Sequence, residues 1–208
     1  MYDFKKLKFI FKEAKLPILD ILNNSKMFNK YGLITNKRIA HFIAQMAWES
    51  DRFTTLEEYA SGSAYEGRAD LGNVLAGDGI KFKGRGLIQL TGRANYREYG
   101  RRIGLDLVAN PEEAADPKYV LELALIYWTL NRLNDYADKD DISSITRKIN
   151  GGFNGLSGRT NNYNRLKDIN FLEGVSIELP GSMSKTNTFV LILKLITWII
   201  SLFKKSKV

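Results

Sequence analysis

Ten of the 17 glycines in this 208-residue chain lie between residues 61 and 104, and segments with helical periodicity flank them on both sides. Glycine weakens regular helices and tolerates backbone angles that other residues avoid, so the segment from Ser61 to Gly104 is predicted to form loops with a small hairpin. Loops of this kind commonly line a cleft. The spacing of apolar residues predicts helices at 4–11, 17–22, 38–50, 118–133, 142–149 and 160–167. We therefore predict a mainly α-helical single lobe that ends near residue 173.

The chain has no cysteine and one histidine, His41. Disulfide frameworks, thiol nucleophiles and cysteine-ligated zinc sites are therefore excluded. A multi-histidine metal site is impossible, and a Ser-His-Asp triad is disfavoured because His41 is predicted to be structural. Any catalysis has to use carboxylate, hydroxyl, amide or basic side chains, and neither a metal nor an organic cofactor is predicted.

The formal net charge of +8 is concentrated at the two ends of the chain. Residues 1–50 contain nine basic and four acidic residues, and residues 181–208 contain five lysines and no acidic residue. Basic ends of this kind attract polyanions such as nucleic acid, anionic lipid or the bacterial envelope, although a basic soluble surface is an alternative. No helix-turn-helix signature, RNA-binding aromatic motif or zinc module is present, so no nucleic-acid partner is predicted.

The C-terminal part of the chain differs in composition from the rest. Residues 174–187 have the composition of a linker, either natural or a fusion junction, and residues 188–208 are mainly apolar and basic. The polar residues of this tail recur at helical intervals, at Lys194, Thr197, Ser201 and Lys205. This pattern predicts a cationic amphipathic helix lying in a lipid interface, on an anionic bacterial membrane or lipopolysaccharide. A helix docked on the core or on a second copy, and a short membrane anchor, are the alternatives.

One glutamate stands out because it lies within an apolar pattern. Glu49 follows Met46 by three residues and Phe42 by seven, on or beside the buried stripe of its helix. Burial raises the pKa of a carboxyl group, as a general acid working near neutral pH requires. Glu57 and Glu58 follow just past the helix end, where a turn could direct one of them across a cleft. Two facing carboxylates are the minimum for hydrolysing a glycosidic bond, whereas a solvated or capping glutamate is the alternative.

Three strings resemble glycoside hydrolase family 19, and in particular its phage endolysins rather than its plant chitinases. They are HFIAQMAWESDRFTTLEE, then FKGRGLIQLTGRANY, then INGG followed by an arginine. The resemblance covers residues from about 38 to 167. It implies a lysozyme-like α-rich fold with a catalytic cleft, comprising residues 1–173. It also implies hydrolysis of β-1,4 bonds between N-acetylated amino sugars, with inversion at the anomeric carbon.

The resemblance assigns roles to individual residues. Glu49 matches the general acid, and Glu58 matches the second catalytic acid, which activates or positions the attacking water. Glu57 is the adjacent competitor for that second role. Residues that match the substrate-binding positions of the family are Gln89, Thr91, Asn95, Tyr96, Asn150 and Arg159.

Three further expectations concern neighbouring residues. The ring of Tyr96 could stack on a pyranose face. Arg85, which lies between two glycines, is expected to bond loop carbonyls or a core carboxylate rather than the substrate. Trp48 stands where many family members have a histidine directly before the catalytic glutamate, a difference that bears on the environment of Glu49 and on the sugar position beside it.

The function predicted from the sequence is therefore a peptidoglycan-degrading phage endolysin that acts on glycan strands as a monomer. The first fifteen residues lack the uninterrupted apolar run of a secretory signal. We expect synthesis in the host cytoplasm, release to the bacterial cell wall and peripheral membrane association. Muramidase, glucosaminidase and transglycosylase specificities stay open. The alternatives are a family 19 chitinase acting on chitin and a non-catalytic protein that binds the wall or disrupts membranes.

Overall fold

The computed structural model describes residues 4–172, so the predicted linker at 174–187 and amphipathic tail at 188–208 lie outside the described residues. The α-helices are α1 (Leu7–Ile10), α2 (Leu16–Ile21), α3 (Ser25–Lys30), α4 (Asn36–Glu49), α5 (Asp78–Lys81), α6 (Arg93–Ile103), α7 (Val120–Leu130), α8 (Leu133–Ala137), α9 (Ile142–Asn150) and α10 (Leu156–Leu166). Short 3₁₀ segments occur at Phe4–Lys6, Ser63–Tyr65, Ala69–Leu71 and Pro111–Ala115. Strand pairing within residues 4–172 is limited to two isolated bridges, Glu57–Arg85 and Arg85–Leu90. The prediction of a mainly α fold is confirmed.

Helix α4 is the centre of the larger hydrophobic core. All nine residues from Ile39 to Ala47 are buried, so neighbouring elements cover every side of this part of the helix. The ring of Phe42 packs edge-on against Trp128 of α7, with ring centroids 5.3 Å apart. Helix α10 packs along α4 more extensively than any other pair of elements. The last residue of α4, Glu49, is therefore attached to the most rigidly packed helix of the described chain.

A smaller hydrophobic cluster forms around α6, which the sequence analysis had assigned to loops. That assignment was wrong for residues 93–103. Helix α6 buries Tyr96, Tyr99 and Gly100 on one face. Glycine is needed at position 100, because a Cβ there would lie 2.7 Å from the carbonyl oxygen of Leu105. The glycines therefore allow close packing of this helix against the following loop.

Three other helix boundaries differ from the predicted ones for local reasons. The predicted helix at 118–133 is divided, because Arg132 adopts a left-handed conformation with φ of 53° before α8 begins. Helix α3 lies outside the predicted helices and begins at Ser25, where the Asn24 side chain accepts a hydrogen bond of 3.1 Å from the Met27 amide. Helix α10 begins at Leu156 rather than at 160, directly after Gly155. None of the helices within residues 4–172 is both long and apolar enough to cross a membrane.

A buried ion pair fastens the loop region to α6. The Asp78 carboxylate accepts hydrogen bonds of 2.8 and 2.5 Å from the Arg93 guanidinium and one of 2.9 Å from the Leu75 amide. Only 2% of the Asp78 side chain is exposed. The bonds from Arg93 are the main reason why the pKa of Asp78 is lowered to about 2. The charged form of Asp78 therefore stabilises the folded loop.

Asp78→Asn is expected to lower the free energy of unfolding at pH 7 by about 3 kcal/mol, because Arg93 loses its buried partner. The pKa of Asp78 is about 2 in the native state, against 3.8 for an unperturbed aspartate. The unfolded chain therefore takes up the proton first, and the stabilisation is complete above about pH 4 and is lost as the pH falls towards 2. The free energies of unfolding of parent and variant should therefore converge at low pH, and urea unfolding of both proteins between pH 7 and pH 2.5 measures this. Asp70→Asn, at a side chain that is 61% exposed, is the control. A difference that stays constant with pH would contradict the assignment.

Candidate active site

A buried arginine holds the carboxylate of Glu49. Arg159 of α10 donates a hydrogen bond of 2.5 Å to Oε1 of Glu49 and one of 2.6 Å to Oε1 of Gln45, one helical turn earlier on α4. Arg159 is 1% exposed. Its guanidinium therefore positions Glu49, and its match to a substrate-binding position stays a prediction. The second oxygen of the Glu49 carboxylate, Oε2, has no hydrogen-bond partner among residues 4–172.

A cavity of about 250 Å³ lies between α6, α7 and the end of α9. Its walls consist of apolar, amide, hydroxyl and aromatic side chains, from Leu71, Ile88, Gln89, Leu90, Thr91, Asn95, Tyr99, Tyr127 and Ile149. Three of the six predicted substrate-binding residues are thus brought together. Amide and hydroxyl groups beside aromatic rings suit a ligand with both polar groups and apolar faces, such as a sugar.

Tyr127 is a residue of the cavity wall that lies within electrostatic range of Glu49. Burial raises the pKa of Tyr127 strongly, and the neighbouring Tyr99 and the negative charge of Glu49 raise it further. Its hydroxyl donates a hydrogen bond of 2.9 Å to the carbonyl oxygen of Lys148, at the end of α9. The charge of Glu49 therefore acts on Tyr127 in the cavity wall, although Glu49 itself does not line the cavity.

The second carboxylate, that of Glu58, is fixed on the loop region. Its Oε1 accepts a hydrogen bond of 2.9 Å from the Tyr65 hydroxyl, and its Oε2 accepts one of 3.0 Å from the Gly84 amide. A Cβ at Gly84 would lie 2.7 Å from Oε1 of Gln89 and 3.1 Å from Oε2 of Glu58. Position 84 must therefore be glycine for these two side chains to approach each other. Because Gln89 lines the cavity, Glu58 is next to the cavity as well.

The adjacent Glu57 has a different environment. Its carboxylate pairs with Lys83 at 3.3 Å and with Arg85 at 3.2 Å, and half of the side chain is exposed. Arg85 also donates a hydrogen bond of 2.9 Å to the carbonyl oxygen of Lys81, the last residue of α5. The contacts with Gly84 and Gln89 favour Glu58 over Glu57 as the second acid.

Tyr96 and Asn150, like Arg159, do not line the cavity. Tyr96 is fully buried, and its hydroxyl donates a hydrogen bond of 2.6 Å to the carbonyl oxygen of Lys83. Its ring packs against Phe82 at 5.2 Å, so the expectation that it stacks on a pyranose was wrong. Asn150 is exposed at the end of α9, next to the cavity residue Ile149.

Sequence reasoning missed three residues that form the site, namely Gln45, Tyr65 and Tyr127. Gln45 carried a signal, because a polar side chain four residues before Glu49 lies on the same side of the helix. Tyr65 and Tyr127 carried none. Tyr127 belongs to a helix with apolar periodicity, and Tyr65 lies in the glycine-punctuated segment. Their roles arise from tertiary packing.

Two fixed glutamates beside a cavity of amide, hydroxyl and aromatic groups form an arrangement typical of glycoside hydrolases. A family model described as chitinase class I, of glycosyl hydrolase family 19, matches residues 28–147. This match covers more than half of the chain, and the chain belongs to glycosyl hydrolase family 19.

Comparison with individual proteins agrees with this membership. The chain is 36% identical over 110 residues to a family 19 domain-containing protein of Haemophilus influenzae, covering 52% of each chain. It is 32% identical over 136 residues to an endochitinase of Arabidopsis thaliana, covering 62% of this chain and 44% of the relative. The chain thus spans about half the length of the curated relatives it matches.

Solved structures of the family share the fold. Chitinase C from Streptomyces griseus superposes with a TM-score of 0.63 at 21% identity, covering 88% of this chain and 97% of that chain. A class IV chitinase from Zea mays superposes with a TM-score of 0.57 at 23% identity, covering 76% and 83%. The α-rich architecture of residues 4–172 is therefore the family 19 fold.

The contact between Arg159 and Glu49 can be tested without reference to activity. Arg159→Met is expected to lower the free energy of unfolding by about 3 kcal/mol, because it leaves a largely buried carboxylate without its partner. In a Glu49→Gln background, the loss of unfolding free energy caused by Arg159→Met should be smaller by about 1–2 kcal/mol. Urea unfolding of the four proteins in this double-mutant cycle measures the difference. Arg97→Met, on the exposed face of α6, should change stability by no more than about 0.5 kcal/mol. A coupling of zero would show that the two side chains do not interact.

Proposed function

We propose that this chain hydrolyses the β-1,4 bonds between N-acetylated amino sugars in peptidoglycan. The observation that carries the proposal is that Glu49 and Glu58 are held by separate hydrogen-bond networks, and that Glu58 lies beside Gln89 in the wall of a cavity. Tyr127, in the same wall, is within electrostatic range of Glu49. The chemistry of the two glutamates matches the two-carboxylate mechanism of glycoside hydrolysis. Membership of family 19 supports the same reaction type.

In the proposed mechanism Glu49 is the general acid. Its Oε1 is occupied by Arg159, which leaves Oε2 to carry the proton. That proton passes to the glycosidic oxygen as its bond to the anomeric carbon breaks. A water molecule forms the new bond to the anomeric carbon on the opposite face and gives its proton to Glu58. Proton exchange with solvent then restores both carboxyl groups.

The amides of the cavity wall are suited to the N-acetyl groups of such a substrate. Gln89 donates a hydrogen bond of 2.9 Å to the Gly86 carbonyl, and Asn95 donates one of 2.8 Å to the Thr91 carbonyl. These bonds fix the two side chains and leave the Asn95 amide oxygen to accept from an N-acetyl N–H. The substrate amide is thereby recognised by groups whose orientation is already set.

The choice of peptidoglycan over chitin rests on the spacing of the catalytic residues. Glu58 follows Glu49 by nine positions, as in the phage endolysins that the sequence resembles, and a short segment connects Glu58 with Gly84. Chitin is the second candidate substrate, because endochitinases of Arabidopsis thaliana and a class IV chitinase of Zea mays are among the relatives and structural neighbours. The chemistry is the same for both polymers.

A digestion experiment tests the proposed activity and its residues. Purified peptidoglycan and chitin are each incubated with the parent, Glu49→Gln, Glu58→Gln and Glu57→Gln, and the products are identified by mass spectrometry. Glu49→Gln, which removes the acid, and Glu58→Gln, which removes the base, are each expected to slow release of muropeptides by a factor of about 10² to 10⁴. Glu57→Gln, the adjacent ion-paired control, should stay within about threefold of the parent, because a salt bridge at a half-exposed carboxylate contributes little.

The products distinguish the possible specificities. Reducing N-acetylmuramic acid ends identify a muramidase, reducing N-acetylglucosamine ends a glucosaminidase, and anhydro ends a transglycosylase. Release of products from chitin alone would show that chitin, and not peptidoglycan, is the substrate. Bacterial killing by Glu49→Gln equal to that by the parent, with no release from either polymer, would favour the non-catalytic alternative.

The proposed site of action includes the membrane. The tail at 188–208 would bind the anionic bacterial membrane or lipopolysaccharide through its lysines, while a monomeric catalytic lobe cleaves the wall. The chain would be made in the cytoplasm of a phage-infected host and then released to the wall.

Removing residues 188–208 is expected to leave digestion of isolated peptidoglycan unchanged and to weaken killing of intact cells. The reason is that isolated wall needs only the catalytic lobe, whereas intact cells present an anionic envelope that attracts the basic tail. Turbidity of a wall suspension and counts of surviving cells measure the two effects. A full-length variant with the tail lysines changed to glutamine controls for the loss of chain length. Equal killing of intact cells by the truncated and full-length proteins would contradict the proposed membrane role of the tail.

A further inference from the structure

Trp48 is a large aromatic side chain left half exposed at the end of a buried helix. The nine residues of α4 from Ile39 to Ala47 are buried, whereas Trp48, directly after them, is 45% exposed. Burial of an indole is strongly favourable, so a half-exposed tryptophan next to the catalytic Glu49 is available to a ligand.

Gly158 of the neighbouring helix α10 and Gly155, directly before that helix, accommodate the indole ring. A Cβ at Gly155 would lie 2.4 Å from Cε2 of Trp48, and a Cβ at Gly158 would lie 1.9 Å from its Cζ3. The six-membered ring therefore spans both positions, where any side chain would displace it. The Arg159 guanidinium lies 5.8 Å from the ring centroid. The ring is thus held from one side by α10, which fixes its orientation.

A cavity of about 390 Å³ lies beside the ring. Its polar wall residues include Asp51, Arg52, Asn161 and Arg165, and it shares no wall residue with the cavity around Gln89. Asn161 is exposed, and its side chain makes no hydrogen bond to another described residue. An aromatic face surrounded by amide, carboxylate and guanidinium groups matches the apolar face and polar rim of a pyranose ring.

The turn after α4 directs two of these groups towards solvent. Asp51, Arg52 and Phe53 have φ angles of 45°, 57° and 64°, a run of left-handed conformations that is unfavourable for residues other than glycine. Phe53 is fully buried, and its amide donates a hydrogen bond of 3.1 Å to the Ser50 hydroxyl, which holds the turn in place. About half of the Asp51 and Arg52 side chains stays exposed. Such strain concentrates at ligand-binding sites.

We propose that Trp48 and the cavity beside it form a second saccharide-binding site, which takes an N-acetylated amino sugar of the glycan outside the cavity around Gln89. The identity of the ligand rests on the proposed function, whereas the shape and chemistry of the site are independent of it. Because Trp48 precedes Glu49 directly, a strand held at Trp48 has its neighbouring sugars close to the catalytic acid. Binding at two places raises the effective concentration of a polymer at the cleavage site.

Nuclear magnetic resonance of the indole N–H groups tests this site directly. The probe is the tetramer of N-acetylglucosamine, added to the full-length Glu49→Gln protein so that no cleavage occurs. The Trp48 resonance is expected to shift with saturation, while that of the fully buried Trp128 stays unchanged. The shift should persist in a variant that also carries Gln89→Leu, which alters the catalytic cavity alone. This second variant separates failure of the new site from failure of the proposed function. Absence of a Trp48 shift would overturn the inference.

Co-sedimentation with purified peptidoglycan measures the contribution to polymer binding. In the Glu49→Gln background, Trp48→Ala is expected to weaken binding about tenfold, and Trp48→Phe should recover part of it because a stacking face remains. Asn161→Ala, at an exposed position that does not affect folding, should weaken binding about threefold, the order of one lost hydrogen bond. Phe9→Ala, at an aromatic residue that is 85% exposed on α1, is the control for loss of an exposed ring. Equal weakening by Phe9→Ala, or none by Trp48→Ala and Asn161→Ala, would overturn the proposal.

Discussion

The buried guanidinium of Arg159 is the interaction on which the site depends. It bonds to Gln45 and Glu49 on one helix while its own backbone belongs to another, so it sets the register of α10 along α4. A buried positive charge requires a negative partner, and Glu49 supplies it. The proposed catalytic acid is therefore also part of the packing of the fold. Substituting it removes a structural contact together with a chemical group.

The helical architecture could be predicted where apolar residues recur with a regular period, as they do along α4. Prediction failed at α6, because its buried face consists of Tyr96, Tyr99 and Gly100, which resemble a loop when only glycine and polar residues are counted. Such a helix is recognised only from the cluster that covers it. Local exceptions, such as the cap by Asn24, shifted boundaries without changing the fold class.

The two glutamates proposed as acid and base could be picked out from the sequence because they lie in local motifs with a fixed spacing, and their catalytic roles stay predictions. Their surroundings could not be picked out. Tyr127 reaches the cavity through packing between distant segments, and Tyr65 reaches Glu58 through the folding of an irregular loop. Tyr96 matched a motif but lies inside the smaller core. A motif therefore identifies a position in the chain, whereas burial decides whether its side chain meets solvent or the protein interior.

The two glutamates are anchored in parts of the molecule with different resistance to local opening. Glu49 ends a helix whose residues 39–47 are all buried, so we expect its position to be lost only when the main core opens. Glu58 is held by a tyrosine hydroxyl and one glycine amide on a segment without regular secondary structure. Segments of that kind open at lower free energy than core helices. We therefore expect the segment that holds Glu58 to open on warming before the helical core does, which would separate the proposed base from the proposed acid.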